Sequence, residues 1–212
     1  MFKRNQIEEA IACVLEPGAV KPSSEMRTRL KRLLETDRGL GRTKRSTDPE
    51  RANFAFYSLD APGRGGENWF SDYDAFALLI GLQLMRHGWP QGFAVAVLRR
   101  VKPELETQHA RILKQNPVVL FDPQLISPRA KSGDFVVQNT DPVFLAIISR
   151  DREDRSDPNP AAIFRGQDQL MRFINTEGVG KGWTMFELVN SVHALSLALA
   201  KTRPRRRGRS GE

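Results

Sequence analysis

The chain has 212 residues and is basic, with a formal net charge of +8. Apolar residues make up 40% and charged residues 27%, which is typical of proteins that bury a globular core. No apolar run approaches the roughly 18 residues of a membrane helix, and Glu8 and Glu9 stand where a secretory signal would have its apolar centre. We therefore expect a cytoplasmic protein with no membrane partner. The single Cys13 agrees with a reducing compartment.

Positive charge is concentrated in two segments. Residues 27–45 hold eight Lys and Arg against two acidic residues, a local charge of +6, and residues 201–209 add another +6. The rest of the chain is therefore at −4. Two basic segments on a slightly acidic body are typical of a protein that binds a polyanion. The alternative is that arginine-rich ends only keep the protein soluble.

Two helices are predicted in the first 41 residues. The first is capped by Asn5 and runs to about Leu15, before a Pro-Gly stop. The second starts at Ser23 or Ser24 and ends near Gly39 or Gly41. A polar, basic loop follows it.

The second helix is amphipathic, and its basic side chains lie opposite an apolar stripe. Arg27 and Lys31 share a face because they are four residues apart, and we expect Arg32 to be presented with them. Such a face can neutralise phosphates. The alternative is an ordinary solvated face of a core helix.

A short β-hairpin is predicted next. Residues 52–59 have β-formers in partial alternation, residues 61–66 form a turn, and Asn68 to Phe70 begin the return strand. Arg64 at the turn tip would contact a phosphate. Tyr57, Trp69 and Phe70 would stack on bases or, alternatively, pack within the hairpin.

A pair of helices follows the hairpin. Ser71 caps the first, Gly88 ends it, and Pro90 begins the second, which reaches about Val101. Residues 102–104 start a further helix to about residue 115. An apolar stripe continues across that break and is suited to core packing or to a partner helix, which leaves a homodimer open.

The second half of the chain changes to shorter elements. Strands are predicted at 118–121, 135–138, 143–148 and 162–164, and helices at 167–175 and 184–201. The fold class is α+β, with a mainly helical domain at 1–116, a small α+β domain at 117–201 and a disordered basic tail at 202–212.

No motif for catalysis, a cofactor or a metal is present. The Gly-rich residues 63–66 lack the Gly-Lys-Ser/Thr ending of a phosphate loop, and no Gly-x-Ser-x-Gly elbow occurs. The three histidines, His87, His109 and His193, are isolated in sequence. The sequence therefore predicts a binding protein that is not an enzyme and that has no cofactor.

Residues 53–101 resemble the second half of a MerR-type DNA-binding domain. The resemblance rests on Phe70-Ser-Asp-Tyr-Asp74 at a helix start and on Gly88-Trp-Pro90 at the expected distance after Asp74. It implies a winged helix-turn-helix fold, with residues 65–70 as the return strand of the wing, and the family's dimerisation helix at 103–115. The Arg-Tyr-Tyr signature of that family has no counterpart between residues 24 and 56.

These observations predict a bacterial transcriptional regulator that binds double-stranded DNA sequence-specifically through a basic helix and a wing. The alternative is a non-enzymatic interaction or structural module whose basic tail binds RNA or an acidic partner. The predicted DNA-binding residues are Arg27, Arg29, Lys31, Arg32, Arg42, Lys44, Arg45, Arg64, Arg205, Arg206, Arg207 and Arg209.

Overall fold

The computed structural model describes residues 1–19, 21–58, 68–127, 138–149 and 161–204. The chain separates into two compact units. The first is Met1–Arg100 with Ala194–Glu212, and the second is Val101–His193. The α+β fold class is confirmed. The domain boundaries at residues 116 and 201 stay predictions, and the MerR-like character of the first half stays a hypothesis.

The first unit is mainly helical, with one two-stranded antiparallel sheet. Two of its helices, those at Gln91–Leu113 and Leu188–Lys201, also contribute residues to the second unit. Its elements are β1 (Phe2–Lys3), α1 (Arg4–Leu15), α2 (Ser24–Leu40), α3 (Pro49–Ala52), β2 (Trp69–Phe70), α4 (Asp72–Arg86), the start of α5 (Gln91–Leu113) and the end of α9 (Leu188–Lys201).

The second unit is built on a three-stranded antiparallel sheet. The central strand, β3 (Val143–Ile148), lies between β4 (Ala161–Arg165) and β5 (Trp183–Glu187), and every residue of β3 is buried. Leu170 and Ile174 pack with Phe144 and Ala146 in a buried cluster. The unit's other elements are α6 (Pro117–Leu120), α7 (Pro123–Ile126) and α8 (Gln167–Glu177).

The core of the first unit is centred on α4, as its apolar run predicts. All residues from Tyr73 to Leu82 are buried. The predicted cap is confirmed, because the Ser71 hydroxyl accepts a hydrogen bond from the amide of Asp74 while the Asp74 carboxylate accepts one from the amide of Ser71. At Gly81 an added Cβ would lie 3.2 Å from side-chain atoms of Leu33 and Phe56, so this glycine allows α4 to pack closely.

The predicted hairpin of residues 52–70 is wrong in its strand pairing, and its turn at 61–66 lies outside the described residues. Residues 53–58 form no strand, and β2 instead pairs antiparallel with β1, with Phe2 opposite Phe70 and Lys3 opposite Trp69. The alternation in residues 52–59 was misleading because the successive residues Phe54 to Tyr57 are all buried in the core, rather than on alternating faces of a strand.

Four other local predictions are corrected. Lys3, not Asn5, precedes α1, and its amide donates to the Gln6 side chain. The helix break at 102–104 does not occur, because Pro103 removes one amide donor but its backbone angle still fits within α5.

In the second unit, residues 117–120 are a helical turn rather than a strand, since Asn116 caps the amide of Val118 ahead of it and Pro117 is its first residue. Residues 183–187 pair with β3 as a strand, so the last helix starts at Leu188 rather than at residue 184.

The remaining predicted helix of the second half is confirmed as α8, and the strands at 143–148 and 162–164 are confirmed as β3 and within β4. The apolar stripe from Leu98 to Ile112 is buried. Residues 135–137 of the predicted strand, Arg64, and the tail arginines Arg205, Arg206, Arg207 and Arg209 lie outside the described residues. Among the described helices, none is long and apolar enough to cross a membrane.

Candidate nucleic-acid interface

The solvent side of α2 presents two basic flanks. Its buried stripe includes Met26, Leu30 and Leu33, and about 100° of rotation per residue separates successive side chains. On this geometry, residues 27, 31 and 38 fall within about 40° of one another on one flank. Arg29 and Arg32 lie on the opposite flank, about 60° apart. We call Arg27, Lys31 and Arg38 the basic flank.

This arrangement refines the predicted binding face. Arg27 and Lys31 do share a flank, but Arg32 is placed about 100° from Lys31 and shares the other flank with Arg29. Arg38 was not among the predicted DNA-binding residues, although its spacing of seven residues from Lys31 was a usable signal.

Two of these cations form ion pairs with carboxylates of α2 itself. Arg29 is 2.5 Å from Glu25 and Lys31 is 3.7 Å from Glu35, each pair four residues apart. Exposed pairs of this kind contribute only about 0–1 kcal/mol and are screened by salt. A phosphate can therefore replace these carboxylates at small cost.

The other exposed arginines of this region are not neutralised in this way. Arg32 and Arg38 on α2, and Arg45 in the following loop, are exposed. Across the described ranges, none of the three forms an ion pair with a carboxylate. Lys44 is also exposed. Arg32, Arg38 and Arg45 are therefore positions where α2 and its loop offer positive charge directly to solvent.

Glu8 connects α1 to the basic flank. One oxygen of its carboxylate is 2.8 Å from Nε of Arg4, and the other is 3.6 Å from Nε of Arg27. Two guanidinium groups therefore converge on one carboxylate. This is the arrangement that arginines also adopt around a phosphate group.

Tyr57 packs against the second half of α2. Its hydroxyl lies 3.5 Å from the carbonyl oxygen of Leu34, and its ring is buried. Burial and the charge of Asp37 raise the pKa of Tyr57 to about 12, whereas the charges of Arg38 and Arg4 lower it. Both guanidinium groups are thus close enough to influence this phenol.

Arg42 has a packing role. Its guanidinium carbon lies 5.4 Å from the centroid of the Phe54 ring, and that of Arg99 lies 5.5 Å from the same centroid. Arg42 is half-buried. The guanidinium group that the sequence assigned to DNA is therefore a stacking partner of Phe54 in this structure.

A buried ion pair, absent from the sequence analysis, fixes the end of α2. Arg99 donates through Nε to Asp37 at 2.6 Å, and both side chains are almost fully buried. The Asp37 carboxylate also accepts from the amides of Ala55 and Phe56 at 3.0 Å, while Arg99 donates to the carbonyl of Gly41. The two partners of the ion pair, Asp37 and Arg99, are 62 residues apart in the chain, so no local sequence pattern predicts this network.

Charge distinguishes the two units. The described residues of the first unit hold 17 Lys and Arg against 10 Asp and Glu, a net charge of +7, whereas those of the second hold 6 against 7, a net charge of −1. A polyanion is therefore attracted to the first unit.

The main polar cluster described in the second unit is internally neutralised. Asp141 accepts hydrogen bonds from Arg111 at 2.8 Å and from Gln115 at 2.6 Å, and Arg165 lies 3.5 Å away. Burial raises the pKa of Asp141, but the bonds from Arg111 and Gln115 and the charge of Arg165 outweigh it and hold the pKa below its usual value. These cations are already engaged by a carboxylate.

The described residues contain no group of three or more His, Cys, Asp or Glu side chains placed to hold a metal ion. Comparisons with protein-family models, with curated proteins and with solved structures each gave no match. The functional argument therefore rests on the residues of this chain.

Proposed function

We propose that the protein is a cytoplasmic DNA-binding transcriptional regulator whose first unit binds double-stranded DNA through the basic flank and through Arg32 and Arg45. The observation that carries the proposal is the presence of exposed arginines on α2, Arg32 and Arg38, that pair with no carboxylate of the described chain. Such side chains neutralise phosphates and release counterions from the duplex.

The local geometry of α2 supports this use. Arg27 and Arg38 are 11 residues apart, which corresponds to about 16 Å along a helix axis with a rise of 1.5 Å per residue. One helix therefore contacts phosphates at several positions along a groove. Arg99 and Asp37 hold the end of this helix in a fixed position, which favours a defined register on the duplex.

The MerR resemblance is consistent with the proposal only in part. The capped helix α4 and the proline-started helix α5 have the form that the resemblance implies. The wing is not formed by the strands that it implies, because β2 pairs with β1. Base recognition is thus assigned to no particular residue, and the proposal concerns phosphate binding first.

The direct test is the salt dependence of binding to a 20-base-pair duplex, measured by fluorescence anisotropy. In the double variant Arg32→Gln/Arg38→Gln, the loss of two phosphate contacts lowers the slope of log K against log salt by about 1.8, at about 0.9 per contact. The matched control Arg172→Gln/Lys181→Gln removes the same charge from exposed positions of the second unit. It leaves the slope almost unchanged.

Equal slopes for the two double variants would refute the proposed surface, since net charge alone would then explain the attraction.

Sequence preference is tested by competition between random duplex and the DNA upstream of the protein's own coding region. Removal of residues 205–212 tests the alternative module, in which the tail supplies the binding. Loss of all binding on that removal, with no preference for duplex DNA over RNA, would favour the alternative.

A further inference from the structure

The edge of the small sheet in the first unit carries an exposed aromatic ring beside a cation. Trp69 is 47% exposed, and Nζ of Lys3 lies 5.2 Å from the centroid of the indole ring. The two residues are paired directly across β1 and β2. Their positions are therefore set by the backbone register rather than by a flexible loop.

The neighbouring pair of the same sheet faces inward. Phe70 is 1% exposed, and its ring stacks on that of Tyr57 with centroids 6.1 Å apart. Successive residues of a strand point to opposite sides, so burial of Phe70 places Trp69 outside. The fold therefore buries Phe70 in its core and leaves Trp69 exposed at the surface.

A series of close contacts joins this sheet edge to the basic flank. Lys3 is followed by Arg4, and the Glu8 carboxylate links Arg4 to Arg27 through the contacts given above. Arg38 lies on the same flank of α2 as Arg27, because 11 residues along a helix bring a side chain back to within about 20° of the same direction. Cations therefore run from the edge of the sheet to the end of α2, with one flat aromatic ring at the sheet end.

We propose that Trp69 and Lys3 form a second contact site for double-stranded DNA, continuous with the basic flank. Trp69 lays its ring against a deoxyribose, and Lys3 binds an adjacent phosphate. A DNA backbone alternates apolar sugar faces with anionic phosphates, which matches an apolar ring next to an ammonium group. This proposal rests on the proposed function, and it predicts a contact that phosphate binding by α2 does not require.

The indole ring itself is the probe. The chain contains 3 tryptophans, and Trp89 stacks on Phe93 with ring centroids 4.3 Å apart. The variant Trp89→Phe/Trp183→Phe leaves Trp69 as the sole tryptophan, whose emission is excited selectively at a wavelength that tyrosine does not absorb. Titration with a 20-base-pair duplex lowers the quenching of this emission by acrylamide at least twofold. Unchanged quenching while anisotropy reports DNA binding would overturn the contact site and leave the proposed function standing.

Affinity measurements give an independent readout. Trp69→Ala weakens duplex binding about fivefold, at the low end of the range for a base stacked on an aromatic ring, because a deoxyribose offers less contact area than a base. It leaves the salt slope unchanged, because the indole carries no charge. Lys3→Gln lowers the slope by about 0.9. Trp183→Ala is the matched control, as Trp183 is 42% exposed in the second unit, and it leaves the affinity unchanged.

Three other outcomes would contradict the proposed contact site. Equal affinity of Trp69→Ala and Trp183→Ala would overturn the site. Shielding of Trp69 by poly-glutamate as strong as that by duplex would overturn the assignment to DNA, since a general polyanion surface would then suffice. If the unaltered protein binds no duplex at low salt, the site and the proposed function both fail. Because the quenching experiment retains Trp69, it remains decisive if Trp69→Ala does not fold.

Discussion

Replacing Asp37 by Ala should severely destabilise the first unit. The Asp37 side chain is fully buried and that of Arg99 is 4% exposed. The substitution removes three hydrogen bonds to the carboxylate, from Arg99 and from the amides of Ala55 and Phe56. It leaves a buried guanidinium with backbone carbonyls as its remaining acceptors, including that of Gly41.

The expected loss is about 5 kcal/mol in the free energy of unfolding. Removing one partner of a buried ion pair costs about 3–5 kcal/mol, and each amide left without an acceptor costs about 1–3 kcal/mol. These costs overlap, because water that enters the cavity solvates all three donors at once. A loss of this size approaches the whole stability of a typical domain, about 5–15 kcal/mol.

Urea unfolding followed by far-ultraviolet circular dichroism measures the effect. The control Asp72→Ala removes an exposed carboxylate from the first turn of α4 and should cost only about 0.3–1 kcal/mol. The double variant Asp37→Leu/Arg99→Met should be more stable than Asp37→Ala, because no unpaired charge stays buried. A loss below about 1.5 kcal/mol for Asp37→Ala would refute the reasoning, as would a double variant less stable than Asp37→Ala.

Three further predictions concern titration and charge. The pKa of Tyr57 is raised from 10.0 to about 12, so its stabilising contribution is complete below pH 10 and is lost as the pH rises towards 12. In urea unfolding at a series of pH values, Tyr57→Phe should lack this loss, and an identical alkaline profile would contradict it. Burial lowers the pKa of His193, so its contribution is present above pH 6.5 and is lost as the pH falls through the lowered value. His193→Gln should reduce the loss of stability as the pH falls below 6.5, and a steeper loss would count against the assignment. Glu8→Gln frees Arg4 and Arg27 from their shared carboxylate and should tighten duplex binding several-fold in anisotropy titrations. Weaker binding would mean that Glu8 orients the arginines rather than competing with phosphate, and Glu9→Gln is the control of equal charge.

Local sequence patterns predicted the helices well. Ser23 and Ser71 cap α2 and α4 as expected, because a hydroxyl one residue before a helix satisfies amides only a few residues away. The apolar run of α4 predicted its burial, since a helix that is apolar on most sides must lie in a core. The basic, amphipathic character of α2 was also predictable, because residue type and helical spacing are local properties of the sequence.

Strand pairing was much less predictable. β2 was assigned to the wrong partner because the correct one, Phe2–Lys3, lies more than 60 residues away and is only two residues long. Residues 118–121 have β-forming side chains, but a capping Asn116 and the following proline favour a helical turn. β-propensity reflects packing against neighbours, and the sequence does not show those neighbours.

The sequence by itself determined the concentration of positive charge in residues 27–45 and the amphipathic helix that holds most of it, because charge and periodicity are local properties. The tertiary structure decided which of those charges are available. It stacks Arg42 on Phe54, leaves Arg38 exposed and brings Arg4 and Arg27 to the same Glu8 carboxylate. These outcomes depend on contacts between residues distant in the chain, and only packing of the folded chain brings such residues together.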